Sequence, residues 1–167
     1  MSFPHTYYRL ELQVLEEAAA FYPPVGTKEL LSDDNAGYDL KVVVDQSPLQ
    51  TAALVPLGVK ARMQRLTHVD NCIERMEECH FSLEPRSSIY KSNFMMANGR
   101  GIIDKTYRGQ LMAALVSVGQ IPKSIEKGTR LFQIIAPDMG YIKEVVYVEN
   151  LPSTVRGSGG FGSTGSK

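Results

Sequence analysis

LFQIIAPDMGYIKEVVYV, residues 131–148, holds two apolar runs parted by Pro137, Asp138 and Gly140. Each run is too short for a stable helix and is rich in β-branched and aromatic side chains. The stretch therefore reads as two strands, 131–136 and 141–148. The same rhythm continues outward, with candidate strands at 8–15, 40–44, 50–55, 58–63, 80–83 and 110–118. Breakers separate them: Pro23 and Pro24, Asp33 to Asn35, Ser47 and Pro48, Pro85, Asn98 and Gly99, Gly119, Gly128, and Pro152. Short strands at regular spacing imply an all-β sandwich or barrel rather than alternating strands and helices. Helical turns are expected only at 14–22, where EEAAA has high helix propensity, and at 69–78.

The chain has 167 residues, one domain's worth, with 18 basic and 18 acidic side chains and no net charge. Apolar residues make up 43% and charged residues 22%, which suits a packed core and excludes sustained disorder. No run approaches the roughly 18 apolar residues of a membrane helix. The opening MSFPHTYYRLELQ lacks the basic-then-apolar layout of a secretory signal, so the expected location is cytoplasm or nucleus. Zero net charge argues against wrapping nucleic acid by bulk electrostatics. Cys72 and Cys79 are too few for a disulfide scaffold. With His68 and His80 they match no standard zinc spacing, so they read as free thiols in a reducing compartment.

The one shift in composition is the C-terminal RGSGGFGSTGSK, 156–167, which is glycine-rich around a lone Phe161. It reads as a flexible arm, yet Arg156, Ser163 and Thr164 are anion-binding groups. Residues 160–165 satisfy the dinucleotide pattern G-x-G-x-x-G, but no helix can follow before residue 167. A Walker A loop fails as well, because no Gly-Lys-Ser/Thr occurs.

Four further patches carry chemistry. In AGYDL, 36–40, Gly37 permits a turn that places Asp39 at a strand start. In PRSSI, 85–89, Pro85 ends a strand, and Ser87 and Ser88 suit the cap of a short helix beside Arg86. That is a phosphate site or, taken alone, an ordinary cap. NGRGIIDKTYRG, 98–109, looks like a hairpin. Asp104 follows two isoleucines there, so its carboxylate is expected to be partly desolvated, as suits a general base. KGTRLFQ, 127–133, is a turn into a strand with Arg130 and Gln133 as polar outliers.

Together, in this order and register, the five patches resemble the motifs of the trimeric deoxyuridine triphosphate nucleotidohydrolases (dUTPases), from Ala36 to Gly165. The resemblance implies a jelly-roll β-barrel over 1–150 with one short helix, and an arm over 151–167 that closes over a neighbouring active site. It implies a homotrimer in which one subunit gives the hairpin, a second the phosphate motifs and a third the arm. It implies dUTP diphosphatase activity: hydrolysis of dUTP to dUMP and pyrophosphate with Mg²⁺. The ion would be held by substrate phosphates and waters rather than by protein ligands.

Residue by residue, the resemblance makes Asp104 the group that activates a water for attack on the α-phosphorus. It puts the Tyr107 ring under the deoxyribose, where no 2′-hydroxyl fits. The backbone of Asn98, Gly101, Ile102 and Ile103 would read the uracil edge, since cytosine would leave buried groups unpaired. Arg86, Ser87, Ser88 and Gln133 would hold phosphates, while Asp39 orients Arg130 or a water near the metal. In the arm, Arg156, Gly162, Ser163 and Thr164 would close on the γ-phosphate and Phe161 would stack on uracil.

Several residues depart from the family pattern: Asn35 for Asp, Ser88 for Gly, Lys105 and Thr106 before Tyr107, and Phe132 for a small residue. None removes a catalytic group. Two other readings stand beside the hydrolase. One is a dCTP deaminase on the same fold, which needs an acid/base Glu in the base pocket. The other is a binding protein that uses nucleotide occupancy as a regulatory switch.

Overall fold

The computed structural model describes residues 4–70, 72–119 and 123–160. Twelve strands follow in chain order: β1 His5–Val14, β2 Lys28–Leu30, β3 Gly37–Lys41, β4 Ala53–Pro56, β5 Val59–Val69, β6 Cys72–Cys79, β7 Phe81–Pro85, β8 Phe94–Met96, β9 Gly101–Ile103, β10 Met112–Ser117, β11 Arg130–Ile135 and β12 Ile142–Tyr147. They form three sheets, ordered β2-β12-β1-β5-β6, β4-β10-β8 and β3-β11-β7-β9, rather than one closed barrel. The all-β expectation stands. The single short helix becomes two six-residue 3-10 turns, Glu16–Phe21 and Ser87–Ser92.

Alternation builds the core. In β1, Tyr8, Leu10 and Leu12 face inward, and Leu10 and Leu12 are fully buried. They meet Val59, Ala61 and Met63 of β5, Leu111, Ala113 and Leu115 around β10, and Phe132 and Ile134 of β11. Each fully buried aliphatic or aromatic side chain contributes about 1.5–3 kcal/mol. Phe132 is fully buried in this cluster. Two of the polar groups that enter are paired, while Gln64 Oε1 is buried without a hydrogen-bond partner among the described residues. The buried Glu144 carboxylate takes Arg9 and Lys28, and Tyr147 Oη bonds both Tyr38 Oη at 2.6 Å and Glu29 Oε2 at 2.7 Å.

Residues 72–79 are strand, not helical turn. β5 runs well past its expected end, over Val59–Val69, and imposes antiparallel pairing on β6, from Met63↔Cys79 to Val69↔Cys72. Cross-strand charge pairs replace apolar alternation there. Arg62 Nη1 meets Glu78 Oε1 at 2.8 Å, and Arg65 Nη2 meets Glu77 Oε2 at 3.3 Å. Cys72 and Cys79 are free thiols at opposite ends of this strand, too far apart to share a metal. Among the described residues, no helix is long and apolar enough to cross a membrane.

Candidate active site

Backbone register assembles the first half of the site. Across β3, β11 and β7, Gln133 lies opposite both Asp39 and Glu84, while Phe132 lies opposite Leu40 and Pro85. With a period of two, one face of these strands buries Phe132 and Leu40 and the other presents a polar row. Asp39 is therefore in the middle of β3, not at its start. Gly37 leaves room for Gln133: a β-carbon on it would fall 2.1 Å from Gln133 Oε1, so a larger residue would make the Gln133 side chain shift.

Arg86, just past Pro85, sets its Nε 2.9 Å from Asp39 Oδ1, and Arg130 Nη1 lies 3.4 Å from Asp39 Oδ2. Arg86 also donates through Nη1 to Arg130 O at 3.1 Å. One carboxylate thus holds two guanidinium groups at the rim of a cleft of about 860 Å³, which Ser87 and Gln133 also line. Ser87 and Ser88 open the second 3-10 turn, but neither caps it through its side chain. Arg86 holds the cap position, and Ser88 does not line the cleft.

The second half centres on Asp104. The segment around Asn98 is not a hairpin, because β8 pairs with β10 and β9 pairs with β7. A tight turn, with Gly99 N donating to Met96 O and Gly99 in the left-handed region, carries the chain from one sheet to the other. Asn98, Gly101, Ile102, Ile103, Asp104, Tyr107 and Arg156 line a smaller cleft of about 160 Å³. Ile103 points into the core, and Ile102 is 66% exposed.

Asp104 is not desolvated by the isoleucines, since its side chain is 45% exposed. Its Oδ2 is held instead by the charge of the Arg156 guanidinium, and His80 Nδ1 lies 3.5 Å from Oδ1. The turn after it closes through Tyr107 N to Asp104 O at 2.9 Å. The Tyr107 ring is buried, and its Oη donates to Gln110 O at 2.9 Å. Burial raises the Tyr107 phenol above its ordinary value, with Arg156 opposing. The Arg156 guanidinium lies over that ring, 5.6 Å from its centroid.

Residues 151–160 are rooted on the same turn. Arg108, 7% exposed, donates to Pro152 O at 2.8 Å and Lys105 O at 2.8 Å, and pairs with Glu78 at 3.2 Å. Its amide donates to Gly157 O at 2.7 Å. The expected arm contacts of Phe161, Gly162, Ser163 and Thr164 lie outside the described residues.

Single-chain geometry therefore collects the expected residues into two groups. Asp104, Tyr107, Asn98 and Arg156 share the small cleft, and Asp39, Arg86, Ser87, Arg130 and Gln133 share the large one. β7 borders both, through Leu83 and Glu84. Three residues were missed by reading the sequence. Arg108 lay inside a quoted motif, but nothing marked its side chain as inward. His80 was considered only as a metal ligand. Arg100 pins the inter-sheet turn to Glu84 at 3.0 Å, a cross-strand pairing that needs the topology.

Comparisons with known proteins identify the family. The family model described as dUTPase matches residues 29–165. A deoxyuridine 5′-triphosphate nucleotidohydrolase of Escherichia phage T5 is 32% identical over 137 residues, covering 81% of this chain and 89% of that protein. One of Rickettsia bellii is 35% identical over 140 residues, covering 82% and 85%. One of Rickettsia rickettsii is 30% identical over 163 residues, covering 96% and 99%. The crystal structure of a dUTPase from Streptococcus mutans shares the fold at TM-score 0.52 and 22% identity, covering 75% of this chain and 92% of that one. With the matched region spanning both clefts and the root of the arm, the chain belongs to the dUTPase family.

Proposed function

We propose that the protein hydrolyses dUTP to dUMP and pyrophosphate by attack of water on the α-phosphorus. The observation that carries this is the small cleft, where Asp104 stands between the Tyr107 ring and the bent backbone of 98–103. Asp104 takes the proton of a water as its oxygen bonds the α-phosphorus; the bond to the bridging oxygen breaks and pyrophosphate leaves with the electron pair. General-base assistance of this kind is worth about 10²–10⁴-fold. The backbone of Asn98, Gly101, Ile102 and Ile103 reads the uracil edge, and Tyr107 blocks a 2′-hydroxyl. A dCTP deaminase needs a glutamate in the base pocket. The carboxylate lining this cleft is Asp104, with no glutamate beside it among the described residues.

The two clefts divide the work between subunits. In a homotrimer with shared sites, the large cleft of a neighbour brings Arg86, Ser87 and Gln133 to the phosphates, with Arg130 held by Asp39; Ser88, which lies beside the cleft and does not line it, is not given a phosphate contact. The arm, 151–167, closes over the site, with Phe161 on uracil and Arg156, Gly162, Ser163 and Thr164 around the γ-phosphate. Arg156 would have to release Asp104 for that contact, so the triphosphate competes with the carboxylate for the same guanidinium.

Among the described residues, no group of three or more His, Cys, Asp or Glu is placed to hold a metal. The residues fit Mg²⁺ bound by triphosphate oxygens and waters, and Asp39 in the large cleft would accept from a metal-bound water. The ion would neutralise phosphate charge. We place the activity in a reducing compartment, cytoplasm or nucleus, with no nucleic-acid or membrane partner. The test is pyrophosphate release from dUTP, dCTP, dTTP and UTP with Mg²⁺. Turnover confined to dUTP supports the reading, equal rates on all four overturn it, and ammonia released from dCTP would favour the deaminase.

A further inference from the structure

We infer that His80 is a positioning residue for Asp104, acting through the backbone of the turn that carries it. The imidazole stands where β6 passes into β7, and its Nδ1 accepts the Lys105 N–H at 3.1 Å. That amide belongs to the turn closed by Tyr107 N on Asp104 O at 2.9 Å. The turn is closed by that internal hydrogen bond and braced from outside at three points: His80 at the Lys105 N–H, Arg108 at Lys105 O and Thr154 Oγ1 at Thr106 O; of these, the His80 bond holds the peptide that directly follows Asp104. Accepting at Nδ1 places the proton of the neutral ring on Nε2. The 3.5 Å between Nδ1 and Asp104 Oδ1 is then a contact without a shared proton. His80 therefore steers the carboxylate by fixing the peptide next to it. Arg156 holds the other carboxylate oxygen, so when substrate draws Arg156 away the His80 bond still fixes the peptide next to the carboxylate.

The inference rests on the proposed role of Asp104, and the experiment separates the two. His80→Asn keeps an acceptor at the position of Nδ1, whereas His80→Leu has nearly the same shape without one. The imidazole side chain is 59% exposed, so neither change disturbs the core. His80→Leu is expected to lower kcat about tenfold, the worth of one hydrogen bond, with KM for dUTP and thermal midpoint near wild type. His80→Asn is expected to restore kcat to within about threefold, since the brace is remade. Asp104→Asn is measured alongside. If Asp104→Asn is inactive while His80→Leu and His80→Asn turn over alike, the inference fails alone. It fails equally if His80→Leu changes only KM. If Asp104→Asn keeps wild-type turnover, the role of Asp104 fails and the inference with it.

Discussion

Replacing Gly109 with alanine tests whether the Tyr107 ring is held where the substrate sugar is proposed to lie. A β-carbon at 109 would fall 2.3 Å from Tyr107 Oη and 2.5 Å from Cζ. Ordinary contact needs about 3.5 Å, so the ring must withdraw by about 1 Å. Gly109 is not among the left-handed glycines, so the strain lies in this contact and not in the backbone. The ring has little room: it is 6% exposed, and its Oη is tied to Gln110 O. Losing that hydrogen bond costs about 1 kcal/mol, and overpacking adds about 1–3 kcal/mol. For a chain of this size that lowers Tm by roughly 5–12 °C. A displacement of about 1 Å in a substrate-positioning group also costs on the order of 10²-fold in kcat/KM, and the preference for dUTP over UTP narrows. Thermal unfolding followed by circular dichroism and pyrophosphate release on both nucleotides read these effects. Tyr107→Phe removes the closest contact, so the double variant should lose less stability than the two single changes together. A Gly109→Ala protein with wild-type Tm and an unchanged dUTP to UTP ratio would show that the ring is not held there.

Three more outcomes follow from the same packing. Burial pushes the Glu144 carboxyl up, but hydrogen bonds from Lys28 and Arg9 outweigh it and hold it below its ordinary value. The unfolded chain then binds more protons, so this stabilisation is present above the ordinary glutamate range and lost as pH falls through the lowered folded value. Glu144→Gln should therefore cost about 2 kcal/mol in urea unfolding at pH 7, with the gap to wild type closing in acid. Arg108→Lys cannot serve Pro152, Lys105 and Glu78 at once. It should lose about 2–3 kcal/mol and expose the chain after Arg156 to faster trypsin cleavage; unchanged cleavage would count against the arm's being rooted there. Asp39→Asn releases Arg86 and Arg130 and should raise KM for dUTP about tenfold with a smaller change in kcat, read by steady-state kinetics.

How far the fold and the site could be read from the sequence depended on where the deciding interactions lie. Apolar runs such as 131–136 and 141–148 announce themselves because their side chains meet the core. β6 did not, because CIERMEEC has no apolar alternation and is held extended by its pairing with β5 and by charge pairs with Arg62 and Arg65. Asn98 and Gly99 signalled a turn, but whether the flanking strands pair with each other is a long-range matter, and here they pair with β10 and β7. In the candidate site, Asp104 and Tyr107 lie three positions apart in one motif, whereas Asp39 beside Arg130 was expected only through the family resemblance, which left a water as the other partner; the structure pairs the two residues. His80 reaches the Asp104 turn across 25 positions and Arg108 reaches Pro152 across 44. No local pattern encodes either contact.

The proposed chemistry turns on water, set up by Asp104, attacking the first phosphorus of dUTP. Hydrolysis in ¹⁸O-enriched water, with the products separated and weighed by mass spectrometry, addresses that step. One ¹⁸O is expected in dUMP and none in pyrophosphate, with Asp104→Asn making neither product at a comparable rate. Label in pyrophosphate, or undiminished turnover by Asp104→Asn, would be incompatible with attack at that phosphorus by that water.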